Sequence, residues 1–462
     1  MEIKLFSNKN FNRELISLAI PIALQNLISA AVNSADVFML GSVNQTAMSA
    51  VSLAGQISFV LMLFLSSLAI GAGVLTAQYW GKKDTVIIER VLNIASMFTI
   101  TISVLFFFAS FFFPELLMRI FTNDVELIRN GVSYQRALSW SYLAMGLSQI
   151  YLNVIKSMGN AKFSALVSTS SLIINVVLDA ICIFIIFPGK SEILIICVAV
   201  TTVIARFVEL AVCFIYSKKK SEKEARIRFK VPKFDVIGKQ LLKDYIKYTS
   251  PILANYVVWG TALTFTAAII GHVSSDMVAA NSVASVIRNL AIVFCGGISS
   301  GGAVLVGKYL GTGDKEFAKK VGNRVYIYAL TAGVLAGGIV LLIGPFVFNF
   351  ISLNETASGY LQKMLYVCAY YCIGKAINST VIGGIFSAGG DAKFSFWCDT
   401  IVMWGIIIPL GYMSAFVWNL NPVMLYIILS LDEIIKIPIA TIRFKQYKWL
   451  NNITRDFKKD TK

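Results

Sequence analysis

The sequence predicts an all-α, polytopic membrane protein with twelve transmembrane helices, arranged as two six-helix lobes that are parallel repeats of each other. Three observations predict this class. Hydrophobic residues make up 57% of the 462 residues and charged residues only 14%, with a mean hydropathy of +0.72. Apolar runs recur along the chain, each of about 20 residues or more, which suffices to cross a hydrocarbon core of about 30 Å as a helix. The second half of the chain also repeats the first.

Twelve apolar runs are the candidate membrane spans, six in each half of the chain. In the first half they cover residues 14–38, 48–77, 91–113, 131–155, 163–187 and 192–217. In the second half they cover residues 246–270, 279–306, 322–350, 359–385, 394–418 and 421–443. The first run is too long for a cleaved secretory signal, so we expect it to remain in the protein.

A constant step of about 230 positions relates the two halves. Pro21 recurs as Pro251 and Gly41 as Gly271, and the segment Ala161–Ser164 recurs as Ala392–Ser395. Because each repeat has an even number of spans, both enter the membrane in the same orientation. We therefore predict an amino-terminal lobe (1–217), a basic cytoplasmic linker (218–243) and a carboxy-terminal lobe (244–462) with a basic tail.

The formal charge of +16 is concentrated in alternate loops. Lys and Arg follow spans 2, 4, 6 and 8, whereas the loops after spans 1, 7 and 11 contain neither. The positive-inside rule then places both termini in the cytoplasm and the protein in the cell (inner) membrane. Charge of this kind reflects topology and attraction to membrane lipid, so we expect no nucleic-acid partner.

The repeats differ where the first half carries acids inside its spans. Asp36 aligns with Thr266, Asp179 with Leu410, and Thr202 with Glu433. An ionisable side chain within a membrane span is costly and is a functional candidate by default.

Span 1 carries a polar stripe on one helical face, formed by Gln25, Ser29, Asn33 and Asp36. We expect the stripe to face a cavity, and Pro21, one turn earlier, to bend the helix.

Span 5 carries Asn175 and Asp179 one turn apart, and the topology places Asp179 and Asp36 in the same outer half of the membrane. Two nearby carboxylates can exchange a proton or hold a monovalent cation with amide oxygens. The alternative is a structural acid that neighbouring hydroxyls and amides satisfy.

The second half instead places cations within its spans, Arg288 and Lys375, with Glu433 on span 12. Glu433 or Asp399 is the expected cross-helix partner of these cations. Static pairs along one helix are the simpler reading of Arg206 with Glu209 and of Glu433 with Lys436. Together with the stripe of span 1, the candidates for a substrate cavity are Gln25, Ser29, Asn33, Arg288, Lys375 and Glu433.

The sequence lacks the residues that other classes of function require. All seven cysteines lie in apolar spans and the chain has one histidine, His272, so we expect neither a metal site nor a cofactor. No clustered catalytic motif points to an enzyme. A channel is a less good match, because duplicated lobes with acids in one of them favour alternating access.

Several segments together resemble the multidrug and toxic compound extrusion (MATE) family over nearly the whole chain. They are Leu18-Ala19-Ile20-Pro21 through to Asp36-Val37-Phe38-Met39-Leu40-Gly41, Gln78-Tyr79-Trp80-Gly81, Lys156-Ser157-Met158-Gly159-Asn160-Ala161-Lys162, Asn175-Val176-Val177-Leu178-Asp179 and Phe386-Ser387-Ala388-Gly389-Gly390-Asp391.

The resemblance implies a V-shaped pair of bundles, a monomer, that expels small organic cations in exchange for protons or sodium. It further implies a cation-coupling site in the amino-terminal lobe, formed by Asp36, Asn175, Asp179, Thr202 and Tyr134. Another branch of the family uses acids on spans 7 and 10, whereas here span 7 has none between Pro251 and Ile270 and span 10 carries Lys375. The basic side chains Arg288 and Lys375 could bind an anionic group. They leave two alternatives open, an exporter of an anionic or zwitterionic metabolite and a lipid-linked sugar flippase of the same superfamily.

Overall fold

The computed structural model describes residues 8–41, 45–187, 191–218, 227–228, 238–347 and 353–456. Within these residues every regular element is a helix. The α-helices are α1 (Asn8–Gly41), α2 (Gln45–Gly81), α3 (Thr85–Phe112), α4 (Pro114–Arg119), α5 (Val125–Ser139), α6 (Ser141–Ser157), α7 (Ala161–Ile181), α8 (Ser191–Lys218), α9 (Lys239–Val273), α10 (Ser275–Gly311), α11 (Lys315–Val347), α12 (Glu355–Asn378), α13 (Ala392–Thr400), α14 (Ile408–Tyr412), α15 (Pro422–Leu429) and α16 (Asp432–Lys445).

The helices coincide with the predicted spans, so the all-α membrane fold with twelve transmembrane helices is confirmed. Among the described residues, nine helices are long and apolar enough to cross a membrane alone. The spans predicted at 131–155, 359–385 and 421–443 are not among these nine. In two of the three, the helix is interrupted, at Trp140 between α5 and α6 and at Ser430 and Leu431 between α15 and α16.

Some spans continue through π-helical turns, in which hydrogen bonds close over five residues. These segments are Cys182–Ile186, Ser379–Phe386, Ile401–Ile407 and Met413–Val417. Such insertions are frequent near functional sites. The segment at Ser379 follows Asn378 directly, and the break at Ser430 places Asp432 and Glu433 in the first turn of α16. A helix N-terminus favours negative charge, so this break suits the two carboxylates.

The chain forms two compact units, which we treat separately. The first comprises Met1–Leu24, Ala77–Lys83 and Ser250–Lys462, and the second Gln25–Thr76 and Asp84–Thr249. Each has an apolar core, with Met277, Met364 and Leu425 in the first and Leu61, Met118 and Leu194 in the second. The repeat predicts boundaries between the two lobes at residues 217 and 244, and these boundaries stay a prediction.

The ends of α2 and α10 cross at two glycines within the first unit. A Cβ on Gly81 would overlap the carbonyl oxygen of Lys308, and one on Gly311 would overlap that of Gln78. The two contacts are related by the repeat, because a step of 230 carries Gln78 and Gly81 onto Lys308 and Gly311.

The segment after α16 secures this crossing. The Gln78 amide donates to the carbonyl oxygens of Ala388 (2.8 Å) and Asn451 (3.1 Å), and its oxygen accepts from the Ile453 amide (2.8 Å). The buried amide of Gln78 is therefore satisfied by backbone groups far away in sequence.

We expect Gly311→Ala to destabilise the protein by about 1–3 kcal/mol, because the new methyl group forces two helix backbones apart. Gly338→Ala is the matched control, since a Cβ there meets nothing within 4 Å. The apparent melting temperature of the purified variants in detergent measures the difference. Equal melting temperatures for the two variants would contradict the close crossing.

Candidate functional site

Among the described residues of the second unit, Asp179 is the most deeply buried acid, with 1% of its surface exposed. It lies one turn after Asn175 on α7, so both side chains share a face of the helix. The Asn175 amide donates to Asp179 Oδ2 (3.1 Å) and to the hydroxyl oxygen of Thr202 (3.3 Å). The spacing of four residues read from the sequence thus produces a direct contact.

The neighbouring helix α8 supplies two hydroxyls. Thr201 contacts Asp179 Oδ1 and also lies 2.8 Å from the Val198 carbonyl oxygen, so its single proton serves one of the two acceptors. Thr202 donates to the same carbonyl (3.0 Å) and accepts from Asn175. Thr201 was missing from the predicted site. The repeat is the feature of the sequence that points to Thr201, because a step of 231 carries Thr201 onto the acidic Asp432.

The structure therefore brings together three of the five predicted coupling residues, Asn175, Asp179 and Thr202. Tyr134 is buried on α5 in the apolar cluster of the second unit. The helix α1 runs through Asn33 and Asp36, but their side chains lie outside the described residues. It also continues through Pro21. The roles of Asp36, Asn33 and Tyr134, and the bend at Pro21, stay predictions.

Gln25 and Ser29 line a cavity of about 230 Å³ in the second unit, which we call the amino-terminal pocket. Lys156 at the end of α6 and the pair of Arg206 and Glu209 on α8 also line it. Arg206 contacts Glu209 at 2.9 Å, as the spacing of three predicts. Glu209 accepts a further hydrogen bond from the Ser168 hydroxyl (3.3 Å).

The first unit contains an ion network centred on Glu433, which is 1% exposed. Its carboxylate contacts the Lys375 ammonium at 3.1 Å and accepts from the Asn378 amide at 2.8 Å. The same amide donates to the Glu433 carbonyl at 2.7 Å. The expected cross-helix pair of Lys375 and Glu433 is therefore present.

The expected static pair of Glu433 with Lys436 is wrong. Lys436 contacts Asp399 at 2.9 Å and Asp432, one turn earlier, at 3.2 Å. The reason is that Glu433 turns toward α12, whereas Lys436 turns toward α13. The two lysines thus offset the charge of two of the three carboxylates, in surroundings where unpaired charge would be costly.

Arg288 does not join this network, contrary to expectation. Its guanidinium lies over the ring of Tyr371, 4.7 Å from the centroid, and donates weakly to Ser285 (3.4 Å). A cation can be stabilised by an aromatic face without a carboxylate partner.

The network lines a cavity of about 260 Å³ in the first unit, which we call the carboxy-terminal pocket. Lys375, Glu433 and Asp399 line it together with Trp259, whose ring centroid lies 5.3 Å from the Lys375 ammonium. The Asn378 side-chain oxygen is buried there and has no partner within the described part of the chain. The pocket therefore offers a mixed ionic wall and an aromatic wall.

Membrane-spanning helices that bury ionisable side chains beside polar cavities are typical of membrane transporters. The MatE family model matches residues 21–181 and again residues 251–413, which begin at the two repeat-related prolines. The chain belongs to the MatE family and is a multi-pass transporter, not an enzyme. The resemblance read from the sequence is confirmed.

Relatives from bacteria match the chain almost end to end. A multi-pass membrane protein with bacterial relatives of this kind lies in the cell membrane. The uncharacterized transporter YisQ of Bacillus subtilis is 24% identical over 451 residues, covering 96% of each chain. A probable multidrug resistance protein NorM of Thermotoga maritima is 22% identical over 438 residues, covering 95% of this chain and 93% of its own.

Solved structures share the fold at low sequence identity. A crystal structure of a MATE protein in the straight conformation gives a TM-score of 0.82 at 16% identity, covering 95% of this chain and 97% of its own. A transporter of the MOP superfamily from Pyrococcus furiosus, described as having a binding pocket of reverse polarity, gives 0.83 at 16% identity with the same coverage.

We expect Lys375→Met to destabilise the protein by about 3–5 kcal/mol, because Glu433 keeps a buried charge without its ammonium partner. Adding Glu433→Gln should restore most of the stability, and thermal unfolding of the single and double variants measures this. Arg119→Met, which breaks an exposed pair with Glu115, is the control and should cost about 0.5 kcal/mol. No recovery in the double variant would contradict the pairing.

For cation coupling at Asp179, which we propose below, we expect Thr201→Val to change the coupling-cation concentration that gives half-maximal efflux by about tenfold, because it removes a hydroxyl that contacts the carboxylate. Thr202→Val is the matched control and should change it less, since its described contacts reach Asp179 only through Asn175. A larger effect at Thr202 than at Thr201 would contradict this geometry. Transport of a fluorescent cation in vesicles is the measurement.

Proposed function

We propose that the protein is a secondary active antiporter that exports amphipathic organic cations in exchange for protons or sodium by alternating access. The observation that carries the proposal is the site at Asp179. A buried carboxylate, an amide and two hydroxyls converge there from α7 and α8.

The chemistry of this site suits a small cation. A carboxylate in a low-dielectric surrounding binds a proton or a monovalent ion to reduce its charge. The oxygens of Asp179, Asn175 and Thr202 are hard ligands of the kind that hold sodium in transporters. Binding and release of one cation would then change the charge of the unit during the cycle. The predicted second acid, Asp36, would join the same site.

The carboxy-terminal pocket supports an organic cation as substrate. Trp259 offers an aromatic face, and Glu433 and Asp399, each of which also contacts a lysine, contribute carboxylates to the lining. Aromatic faces and carboxylates are the usual partners of organic ammonium groups. Relatives described as multidrug resistance proteins agree with a broad range of substrates.

A lipid-linked sugar flippase is less well supported by these contacts. Such a transporter needs a cationic cavity to hold a pyrophosphate group. In the carboxy-terminal pocket both lysines contact carboxylates, and Arg288 lies against Tyr371 and not in the pocket lining.

The charge pattern of the loops further supports both termini in the cytoplasm. In that orientation, exchange would move the substrate outward and the coupling cation inward. Membrane lipid surrounds the spans, and we propose a monomer as the working unit.

We expect Asp179→Asn to abolish ion-driven efflux of a fluorescent organic cation, because the neutral amide cannot exchange a cation. Inside-out vesicles with an imposed pH or sodium gradient provide the assay. Asp124→Asn is the matched control, since Asp124 is exposed, caps α5, and asparagine caps a helix equally well.

The proposal is supported if Asp124→Asn keeps the gradient-driven flux of the wild-type protein and Asp179→Asn loses it. Full gradient-driven flux in Asp179→Asn would remove its central claim.

A further inference from the structure

Helices α7 and α8 of the second unit pack antiparallel, so their contacts form a ladder in which one residue number rises as the other falls. The contacts, in order from the start of α7, are Ser168 with Glu209, Ser171 with Ala205, Asn175 with Thr202 and Asp179 with Thr201. Cys182 lies one helical turn beyond Asp179, and Cys197 lies one turn before Thr201. The next step of the ladder therefore brings two cysteines side by side.

The side chains of these two cysteines do meet. The thiols of Cys182 and Cys197 lie in hydrogen-bond contact. Both are free and partly exposed, whereas the other five cysteines of the chain are buried. A thiol must be accessible to be oxidised, and a second thiol beside it is needed to complete a disulfide. This pair meets both requirements.

The cysteine pair belongs to one repeat alone. A step of 231 carries Cys182 onto Met413 and Cys197 onto Ile428. Cys182 and Met413 each begin a π-helical segment, so the backbone is alike in the two repeats and only the side chains differ. The thiols are present in the repeat that carries Asp179 and absent from the repeat that carries Leu410 in its place.

A bond between the two cysteines would act directly on the site at Asp179. The Cys182 amide donates a hydrogen bond to the Asp179 carbonyl oxygen. Cys197 immediately precedes Val198, whose carbonyl oxygen lies 2.8 Å from the hydroxyl of Thr201. Each cysteine is thus attached through the backbone to one side of the contact between Asp179 and Thr201. A covalent link would restrain both helices at that contact.

We propose that Cys182 and Cys197 are a redox-sensitive modification site, which a hydroperoxide oxidises to a disulfide that ties α7 to α8 beside Asp179. The modification itself does not depend on what the protein transports. Its effect on efflux rests on the proposed coupling at Asp179, because a cross-link between the two helices that hold the carboxylate slows the binding and release of the coupling cation there.

The reaction consumes two thiols and one hydroperoxide. The sulfur of one cysteine attacks the O–O bond, which gives a sulfenic acid and releases an alcohol. The sulfur of the second cysteine then attacks the sulfenic sulfur, and water leaves. Two S–H bonds and the O–O bond break, while one S–S bond and two O–H bonds form. The two sulfurs lose two electrons in total, and the two peroxide oxygens gain them.

Thiol counting tests the modification. The purified protein in nanodiscs is treated with cumene hydroperoxide, an apolar hydroperoxide that enters a bilayer, and is then unfolded and labelled with N-ethylmaleimide. Intact-mass spectrometry should show the number of labels per chain falling from seven to five, because the disulfide removes two, and no gain of oxygen. Dithiothreitol should restore seven.

Variants assign the two lost thiols. Cys182→Ala and Cys197→Ala should each carry the same number of labels with and without the hydroperoxide, because the remaining cysteine has lost its partner. Two variants keep the test decisive if one of them does not fold. Cys213→Ala, at a buried cysteine of α8, is the matched control and should still lose two labels. Seven labels on the treated wild-type protein, or a loss of two in folded Cys197→Ala, would overturn the inference.

Gradient-driven efflux of a fluorescent organic cation from proteoliposomes tests the consequence. The hydroperoxide should remove most of the efflux of the wild-type protein and of Cys213→Ala, and dithiothreitol should restore it, whereas Cys197→Ala should keep its efflux throughout. Formation of the disulfide with undiminished efflux would reject its control of transport.

The two assays separate this inference from the proposed function. Gradient-driven efflux by a protein that keeps seven thiols after treatment would leave the antiporter standing and reject the modification site. A fall from seven thiols to five in a protein without gradient-driven efflux would reject the antiporter and keep the modification site.

Discussion

The cost of burying charge within membrane helices is the constraint on which the rest of this structure depends. Each such charge must meet an opposite charge, a polar cavity or an ion that the protein transports. In the first unit, Lys375 and Lys436 meet Glu433, Asp399 and Asp432. In the second, Asp179 contacts the Thr201 hydroxyl and accepts a hydrogen bond from the Asn175 amide, and we propose that a transported cation binds at this carboxylate.

The two repeats accommodate buried charge in these two different ways. The adjacent threonines 201 and 202 of the second unit correspond to Asp432 and Glu433 of the first, whereas Asp179 corresponds to the apolar Leu410. At these aligned positions, the acid lies on the fifth span in one repeat and on the sixth in the other. In the first unit, where the acids come from the sixth span, lysines contact them. We propose that one scaffold supports an exchangeable site in one copy and an ion-paired network in the other.

Much of the fold and part of the site could be predicted from the sequence. Apolar length predicts the spans, and a spacing of four residues predicts that Asn175 reaches Asp179, because both follow from regular helix geometry. The pairing of Lys436 and the stacking of Arg288 on Tyr371 could not be predicted. They depend on how each helix is rotated about its axis and on the break at Ser430. Thr201 was missed for the same reason, since spacing along α8 does not reveal which of two adjacent hydroxyls faces α7.

The most direct test is flux of a fluorescent organic cation in proteoliposomes of the wild-type protein, with a pH gradient and a sodium gradient imposed one at a time. An antiporter coupled at a carboxylate predicts saturable flux against the substrate gradient under at least one of the two. It also predicts that flux stops when that gradient is collapsed. If neither gradient drives flux, or if flux only follows the substrate gradient, coupled exchange is contradicted.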